Sequence, residues 1–271
     1  MANYLLQAGT SSNGLVAGWY STANRYAHGK FQGTYETVNP QKGAPWGSPT
    51  ISVKYTSLSG GKYILPRVWY TFQYTDPVAG TGYSKAVSVL FCSEEAILNR
   101  AEAYIMKMAE NGGDEYSAKA LEDMNLYAGN LASSGFVPMT EESLHTWATV
   151  TYADYSELYV GRTSATSPQT LNPMKKLFAP PYSLITQGSV KESMLQSLIF
   201  MRRYHFLHEG MRWFDTRRYG ITVYRYQMDE DDMTVTQITD QISDESGKPD
   251  PRRALQIPAD VISAGLAPNE R

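Results

Sequence analysis

The feature that most constrains this chain is a helical pattern that runs through residues 189–220. Ser189 is followed three residues later by Glu192, the spacing of a capping box, in which each side chain binds a backbone N–H at the start of a helix. Apolar residues then recur at spacings of three, four and seven, namely Leu195, Leu198, Ile199, Phe206, Trp213 and Phe214. This periodicity predicts one long helix whose apolar face lies in a core.

Charged residues follow that apolar face in a regular way. Arg202 lies on the face itself, and an arginine there is costly to bury unless it is paired. More charged residues follow at intervals of three with alternating sign: Glu209, Arg212, Asp215 and Arg218. This spacing makes opposite charges neighbours on a helix. We therefore expect these residues to form a structural ion-pair ladder that neutralises itself inside the core.

Three parts of the chain carry a resemblance to one protein family. Residues 202–206, 209–215 and 217–220 read Arg-Arg-Tyr-His-Phe, Glu-Gly-Met-Arg-Trp-Phe-Asp and Arg-Arg-Tyr-Gly, and this pattern closely resembles the signature of the SusD/RagB family. Residues 98–104, Leu-Asn-Arg-Ala-Glu-Ala-Tyr, resemble the last helical repeat of that family. Residues 250–258 are similar to its closing segment, which ends in an Ile-Pro dipeptide. Together these landmarks cover roughly the final two-thirds of the chain.

Members of the SusD/RagB family are surface-anchored nutrient-binding lipoproteins of certain Gram-negative bacteria. The resemblance implies a SusD-like fold that is mainly α with loops and short β-hairpins, built on a tetratricopeptide-type helical hairpin core. It also implies binding of an oligosaccharide or polysaccharide, or less often a peptide, and its delivery to a SusC-like TonB-dependent transporter, without catalysis or a cofactor. Family members are usually longer than this chain, so we expect a lipid anchor upstream of it and a location at the outer membrane, on the cell surface.

The composition indicates a folded protein and argues against several kinds of partner and site. The 271 residues are 42% hydrophobic and 19% charged, which is ordinary for a folded protein. The net charge of −3 gives no electrostatic reason to expect a nucleic-acid partner. Cys92 is the only cysteine in the sequence, which excludes an internal disulfide and a multi-cysteine metal site. We expect Cys92 to be a small buried hydrophobic residue.

The patterns along the chain predict a single domain with segments of different character. In order, these are a loop-rich part at 1–92, a helical hairpin at 93–135, an irregular part at 136–188, the core helix at 189–220, and a β-hairpin with the tail at 221–271. The boundaries follow from where glycine-, proline- and serine-rich stretches give way to periodic ones.

Several short runs of alternating β-branched and aromatic residues predict strands. Residues 51–55 and 67–74 are candidates in the loop-rich part, and residues 149–152 are a candidate in the irregular part. Residues 223–227 and 233–238 flank a short acidic run. This last arrangement predicts a β-hairpin with a charged tip.

Two helices joined by a glycine-containing connection are predicted in residues 93–135. Ser93 is expected to cap the first helix, and residues 111–113, Asn-Gly-Gly, are expected to end it. Asp114 is expected to begin the second helix. Each helix carries an apolar stripe with small residues at Ala101, Ala103, Ala120 and Ala128. Because a lone helical hairpin cannot bury both of its faces, we expect it to pack against the 189–220 helix or against further repeats.

Aromatic residues in polar surroundings are the candidate ligand-binding residues. They are Trp19, Tyr26, Tyr35 and Trp46 in the loop-rich part and Trp147 in the irregular part. Sugars bind proteins by stacking their C–H faces on aromatic rings beside hydrogen-bonding side chains. The alternative is that each ring anchors a loop to the core, and the sequence leaves both open.

Candidate metal-binding and catalytic residues lie in the 189–220 segment. His205, His208 and Glu209 have the order H-x-x-H-E, which matches neither HExxH nor HxxEH, so we expect structural roles and no metal. Glu209 and Asp215 are six residues apart, which separates them around a helix and makes them a poor acid–base pair for glycoside hydrolysis. We therefore predict binding without catalysis. Two alternatives stay open, a tetratricopeptide-like scaffold that binds a protein or peptide partner and a glycan-active enzyme.

Overall fold

A computed structural model of the chain describes residues 44–47, 56–58, 62–64, 69–87, 92–132, 135–151, 185–206, 210–229, 235–244 and 248–270. Within these ranges the structure is mainly helical with short antiparallel β-hairpins, which confirms the fold class at this coarse level. No helix in the described ranges is long and apolar enough to cross a membrane.

The predicted helical hairpin is present. Helix α1 spans Ser93–Lys107 and helix α2 spans Glu115–Leu131. Asp114 begins α2 as expected, because its carboxylate accepts hydrogen bonds from the backbone N–H groups of Tyr116 and Ser117 at 2.9 and 2.8 Å. Ser117 Oγ in turn accepts from the Asp114 N–H at 3.1 Å, so the capping box is complete.

Both ends of α1 differ from the prediction. The N-cap is Cys92, not Ser93, and the Cys92 sulfur accepts a hydrogen bond from the Glu95 N–H at 3.3 Å. The helix ends at Lys107, several residues before the expected stop at 111–113. The capping position is therefore corrected by one residue, and the end of α1 by several.

A buried lysine stabilises this end of α1. Lys191 Nζ donates hydrogen bonds to the carbonyl oxygens of Met106 and Met108 at 3.1 and 3.2 Å. The Lys191 N–H also donates to the Glu110 carbonyl oxygen at 3.0 Å. Carbonyl groups at the end of a helix need such partners, and a positive charge there also interacts favourably with the helix dipole.

The part predicted to be irregular, 136–188, contains further helical structure. Helix α3 spans Glu141–Thr146, and a π-helical turn follows at Trp147–Thr151. The prediction of an irregular segment is therefore wrong here, and so is the prediction of a strand at 149–152. Residues 152–184 lie outside the described ranges.

The central helix, α4, spans Val190–His205 and is buried along almost its whole length. It begins at the predicted N-cap, Ser189, although Glu192 binds the N–H of Gly188 instead of that of Ser189. Ser189 Oγ accepts a hydrogen bond from the Glu192 N–H at 3.0 Å, and Glu192 Oε2 accepts one from the Gly188 N–H at 2.9 Å. These bonds pair backbone N–H groups that a helix start otherwise leaves without partners.

The core helix predicted over 189–220 is in fact two helices. Helix α4 ends with Phe206 as its C-cap, and helix α5 spans Met211–Arg218. Gly210 precedes α5 with φ +78° and ψ −7°, a left-handed conformation that glycine adopts without a steric penalty. The prediction of one continuous helix is therefore wrong, because α4 ends at His205 and a separate helix begins after Gly210.

The helices pack around α4. Helix α1 contacts both α2 and α4, while α3, the π-helical turn and α5 each contact α4. Buried apolar residues from α1, α2, α3, the π-helical turn and α4 form one cluster, and the half-buried Met211 of α5 packs against it. This packing confirms the expectation that the helical hairpin lies against the helix that begins after Ser189.

The strands form three separate antiparallel pairs in the described ranges. They are β1 (Thr56–Leu58) with β2 (Lys62–Ile64), β3 (Trp69–Asp76) with β4 (Thr81–Val87), and β5 (Val223–Met228) with β6 (Val235–Ile242). The β3–β4 pair confirms most of the strand predicted at 67–74. The β5–β6 pair confirms the hairpin predicted at 223–238. The strand predicted at 51–55 lies outside the described residues.

The tail returns to the helical body. A short 3₁₀ turn spans Pro251–Arg253, and helix α6 spans Ala259–Ser263. Arg253 is buried, and its Nη1 and Nη2 donate to the carbonyl oxygens of Thr216 and Ile221 at 3.0 and 2.9 Å. The guanidinium therefore fixes the tail to the end of α5.

Candidate functional site

An exposed pair of aromatic rings lies on the β3–β4 hairpin. Phe72 and Tyr74 are two positions apart in β3, so their side chains leave the same face of the strand. They are 43% and 57% exposed. Their ring centroids are 4.9 Å apart and the ring planes meet at 76°, the edge-to-face geometry that aromatic pairs prefer. We call Phe72 and Tyr74 the aromatic pair.

A glycine on the opposite strand leaves room for the rings of the aromatic pair. Gly82 of β4 is the cross-strand partner of Tyr74. A Cβ atom at position 82 would lie 2.8 Å from Phe72 Cε1 and 2.9 Å from Tyr74 Cα, and would also clash with the Gln73 carbonyl oxygen. A glycine inside a strand commonly marks such a close approach. The orientation of the pair therefore depends on Gly82.

The turn between β3 and β4 is held by local hydrogen bonds. Asp76 Oδ1 accepts from the backbone N–H groups of Val78 and Ala79 at 2.9 and 3.0 Å, as aspartate commonly does in turns. Gly80 follows with φ +67°. These interactions fix how the two strands align, and alignment determines which residues share a face.

A third exposed aromatic residue lies on the other face of this hairpin. Tyr83 is 51% exposed and is the cross-strand partner of Gln73. Its hydroxyl donates a hydrogen bond to Gln73 Oε1 at 3.0 Å. The hairpin therefore presents aromatic rings on both faces with an amide beside one of them, the kinds of group that contact sugars.

The aromatic residues singled out from the sequence lie elsewhere. Trp46 and Trp147 are only 5% and 6% exposed. Both rings pack against Phe200 of α4 with centroid separations of 5.5 Å, and Trp46 also contacts Tyr204 at 5.3 Å. The ligand-binding prediction is therefore corrected for these two residues, which belong to the core. The other three predicted residues, Trp19, Tyr26 and Tyr35, lie outside the described residues.

The predicted ion-pair ladder is present in a different form. Arg202 Nε lies 3.0 Å from Asp215 Oδ1, and the two side chains are 6% and 5% exposed. Arg202 Nη1 also donates to Asn99 Oδ1 of α1 at 2.5 Å. The buried, paired arginine was expected. The pair, however, links two helices, α4 and α5, instead of neighbouring turns of one helix.

A second ion pair that involves a residue of the predicted ladder links α5 to α1. Arg218 Nη2 lies 3.0 Å from Glu102 Oε1, and Glu102 also accepts a hydrogen bond from the Tyr219 hydroxyl. Burial and the neighbouring Glu102 carboxylate raise the pKa of Tyr219. Arg212 lies half-buried on α5, and Glu209 lies outside the described residues. The prediction of a ladder along one helix is therefore replaced by bridges between helices.

The structure also brings together a group of possible metal ligands that sequence reasoning missed. Cys92 Sγ, a carboxylate oxygen of Glu94 and a ring nitrogen of His205 lie within 4.8 Å of one another. The sequence pattern placed His205 beside His208 and Glu209, which lie outside the described residues. No local motif links Cys92 to His205, so only the packing of α1 against α4 reveals the group.

Comparisons with models of protein families, with curated proteins and with solved structures found no match for this chain. A function must therefore be inferred from the residues themselves. Among the described residues, the aromatic pair is exposed to solvent, whereas the Arg202–Asp215 pair is enclosed between helices.

Proposed function

We propose that this chain is a SusD/RagB-like protein that binds glycans at the cell surface without catalysis. In this proposal it delivers them to a SusC-like TonB-dependent transporter in the outer membrane. The family is proposed from the resemblance of residues 98–104, 202–220 and 250–258. The packing of α1 against both α2 and α4 is compatible with the tetratricopeptide-type core of that family.

The aromatic pair is the observation that carries the glycan-binding part of the proposal. Phe72 and Tyr74 are exposed on a hairpin whose turn and register are fixed, so a ligand can cover them without first moving the chain. If a sugar covers about 50 Å² of each ring, the transfer of that apolar surface from water contributes about 1.2 kcal/mol per ring. Each ring then changes the dissociation constant by nearly tenfold.

The carboxylates of the helical body support binding over catalysis. Asp215 is held by Arg202, and Glu102 is held by both Arg218 and Tyr219. A general acid in glycoside hydrolysis needs a raised pKa and access to the glycosidic oxygen. Asp215 and Glu102 are buried and paired with cations, so neither has the access that such a role requires.

Titration calorimetry of the full chain against a panel of polysaccharides and their oligosaccharides tests the proposal. We expect heat of binding with at least one glycan and no release of shorter products. Product release would instead support the glycan-active enzyme. No binding heat, together with a protein that co-purifies with the chain, would support the tetratricopeptide-like scaffold.

Substitution of the aromatic pair locates the site. Phe72→Ala and Tyr74→Ala are each expected to weaken glycan binding about five- to tenfold, with little change in thermal stability because both rings are exposed. Phe214→Ala is the matched control, since that ring is 59% exposed on α5. Wild-type affinity in Tyr74→Ala, or an equal loss in Phe214→Ala, would remove the hairpin from the site.

A further inference from the structure

Three potential metal ligands meet where α1 begins and α4 ends. Cys92 is the N-cap of α1 and Glu94 lies in its first turn, whereas His205 is the last residue of α4. Their ligand atoms lie within 4.8 Å of one another. We call these three residues the Cys92 cluster. The fold therefore brings His205 close to Cys92 and Glu94, which are far from it in the sequence.

We propose that the Cys92 cluster binds Zn²⁺. A thiolate, an imidazole and a carboxylate are the three ligand types that zinc takes from proteins, and the sulfur disfavours Ca²⁺ and Mg²⁺. In a tetrahedral zinc site with Zn–S of about 2.3 Å and Zn–N of about 2.0 Å, ligand atoms are about 3.5 Å apart. Small side-chain rotations would therefore bring separations of up to 4.8 Å into that range.

Neighbouring groups orient the cluster in the way that supporting residues of metal sites do. The Tyr127 hydroxyl lies 3.3 Å from His205 Nδ1. In the tautomer that carries hydrogen on Nδ1, this hydroxyl accepts it and Nε2 presents its lone pair to a metal. Ser93 Oγ donates to Glu94 Oε2 at 3.2 Å. The Glu95 N–H donates to the cluster's sulfur at 3.3 Å, which stabilises negative charge on it.

The burial of the cluster suits an ion with three protein ligands. His205 is buried, while Cys92 and Glu94 are half-buried, so part of the cluster is accessible to solvent. A fourth position is then available to water. Zinc bound here would tie the start of α1 to the end of α4. This role is separate from glycan binding and does not depend on it.

Cobalt spectroscopy of the full chain tests the proposal. The protein is stripped of metal with a chelator and titrated with Co²⁺, followed by excess Zn²⁺. Because Cys92 is the only cysteine, a thiolate-to-cobalt charge-transfer absorption can arise from this residue alone. We expect the absorption to saturate at a single equivalent of Co²⁺ and to be lost when Zn²⁺ displaces it.

Variants of the cluster provide the second measurement. Cys92→Ser and Glu94→Gln are each expected to lower the Zn²⁺ affinity at least about tenfold. Serine is itself a preferred N-cap, so Cys92→Ser retains the start of α1, which circular dichroism checks. Glu95→Gln is the matched control, because Glu95 lies in the same first turn without belonging to the cluster. Its Zn²⁺ affinity is expected to equal that of wild type.

Two outcomes would overturn the zinc site. One is the absence of charge-transfer absorption at any Co²⁺ concentration, which would leave Cys92 as a capping residue alone. The other is a Zn²⁺ affinity in Glu94→Gln that equals that of Glu95→Gln, which would show that the carboxylate of Glu94 does not bind the ion.

Discussion

Replacing Asp215 by alanine removes the acidic partner of a buried arginine. Arg202 Nε lies 3.0 Å from Asp215 Oδ1, and both side chains are almost fully enclosed between α4 and α5. In the variant, the Arg202 guanidinium stays buried next to Asn99 Oδ1, 2.5 Å from Nη1, and over the Phe206 ring at 5.7 Å. The charged guanidinium of Arg202 then lacks the carboxylate partner that Asp215 provides in the wild type.

The size of the effect follows from that burial. Removing one partner of a buried ion pair costs about 3–5 kcal/mol. Because Asn99 and the Phe206 ring still contact Arg202, we expect the lower end of that range, about 3 kcal/mol. For a chain of this size the loss corresponds to a fall in Tm of about 6–12 °C. Asp240→Ala is the matched control: Asp240 also pairs with an arginine, Arg252, but is exposed, so a far smaller change is expected.

Equilibrium unfolding in urea, followed by circular dichroism, measures the change in the free energy of unfolding. The double variant Arg202→Met/Asp215→Leu provides the decisive comparison. Replacing a whole buried pair by apolar residues is often neutral, so we expect the double variant to be more stable than Asp215→Ala. A loss below about 1 kcal/mol in Asp215→Ala, or a double variant no more stable than the single one, would refute the reasoning.

Three further predictions concern other parts of the chain. Trp46→Ala should lower the free energy of unfolding in urea by about 3–5 kcal/mol, because its ring is buried in the core. Gly82→Val should weaken glycan binding in calorimetry, because a side chain at 82 displaces the Phe72 ring. Hydrogen bonds from Arg252 lower the pKa of Asp250 to about 2. The stabilisation by charged Asp250 is therefore complete above the unfolded-state pKa of about 3.9 and lost as the pH falls through about 2. Urea midpoints of wild type and Asp250→Asn should differ near neutral pH and converge in strong acid.

The starts of α2 and α4 could be predicted from the sequence because each N-cap binds backbone groups only a few residues away. Asp114 caps α2 and Ser189 caps α4, and in each case the side chain and the N–H it binds lie within three residues. The paired arginine at 202 could also be anticipated, since an arginine on an apolar face needs a partner. Its partner Asp215 was among the expected residues, although the geometry was not.

The break between α4 and α5 could not be predicted in the same way. The apolar pattern continues on both sides of Gly210, so periodicity alone indicates one helix. The left-handed conformation there is one that glycine permits but does not require. The end of α1 was equally hard to predict, because Lys191 binds the carbonyl groups of Met106 and Met108 from a distant part of the chain.

The aromatic residues show why the candidate site was harder to predict than the fold. Residue type does not distinguish a buried ring from an exposed one. Trp46 is buried because Phe200 and Tyr204 of α4 lie against it, and these contacts are distant in sequence. For Phe72 and Tyr74, the alternation in β3 predicted a strand and a shared face. That rings on both faces of the hairpin stay exposed depends on how the hairpin meets the rest of the molecule.

In the proposed function, stability and glycan recognition depend on different parts of the structure. The buried cationic side chains of the body bind other parts of the chain: Lys191 binds α1 carbonyl groups, Arg202 binds Asp215, and Arg253 binds carbonyl groups near the end of α5. A ligand that engaged them would have to break those bonds, and a buried group left without a partner is costly. The rings of Phe72 and Tyr74 are covered by water instead, so a ligand gains by displacing it. Changes on the hairpin should therefore alter affinity and specificity while the helical core keeps its stability.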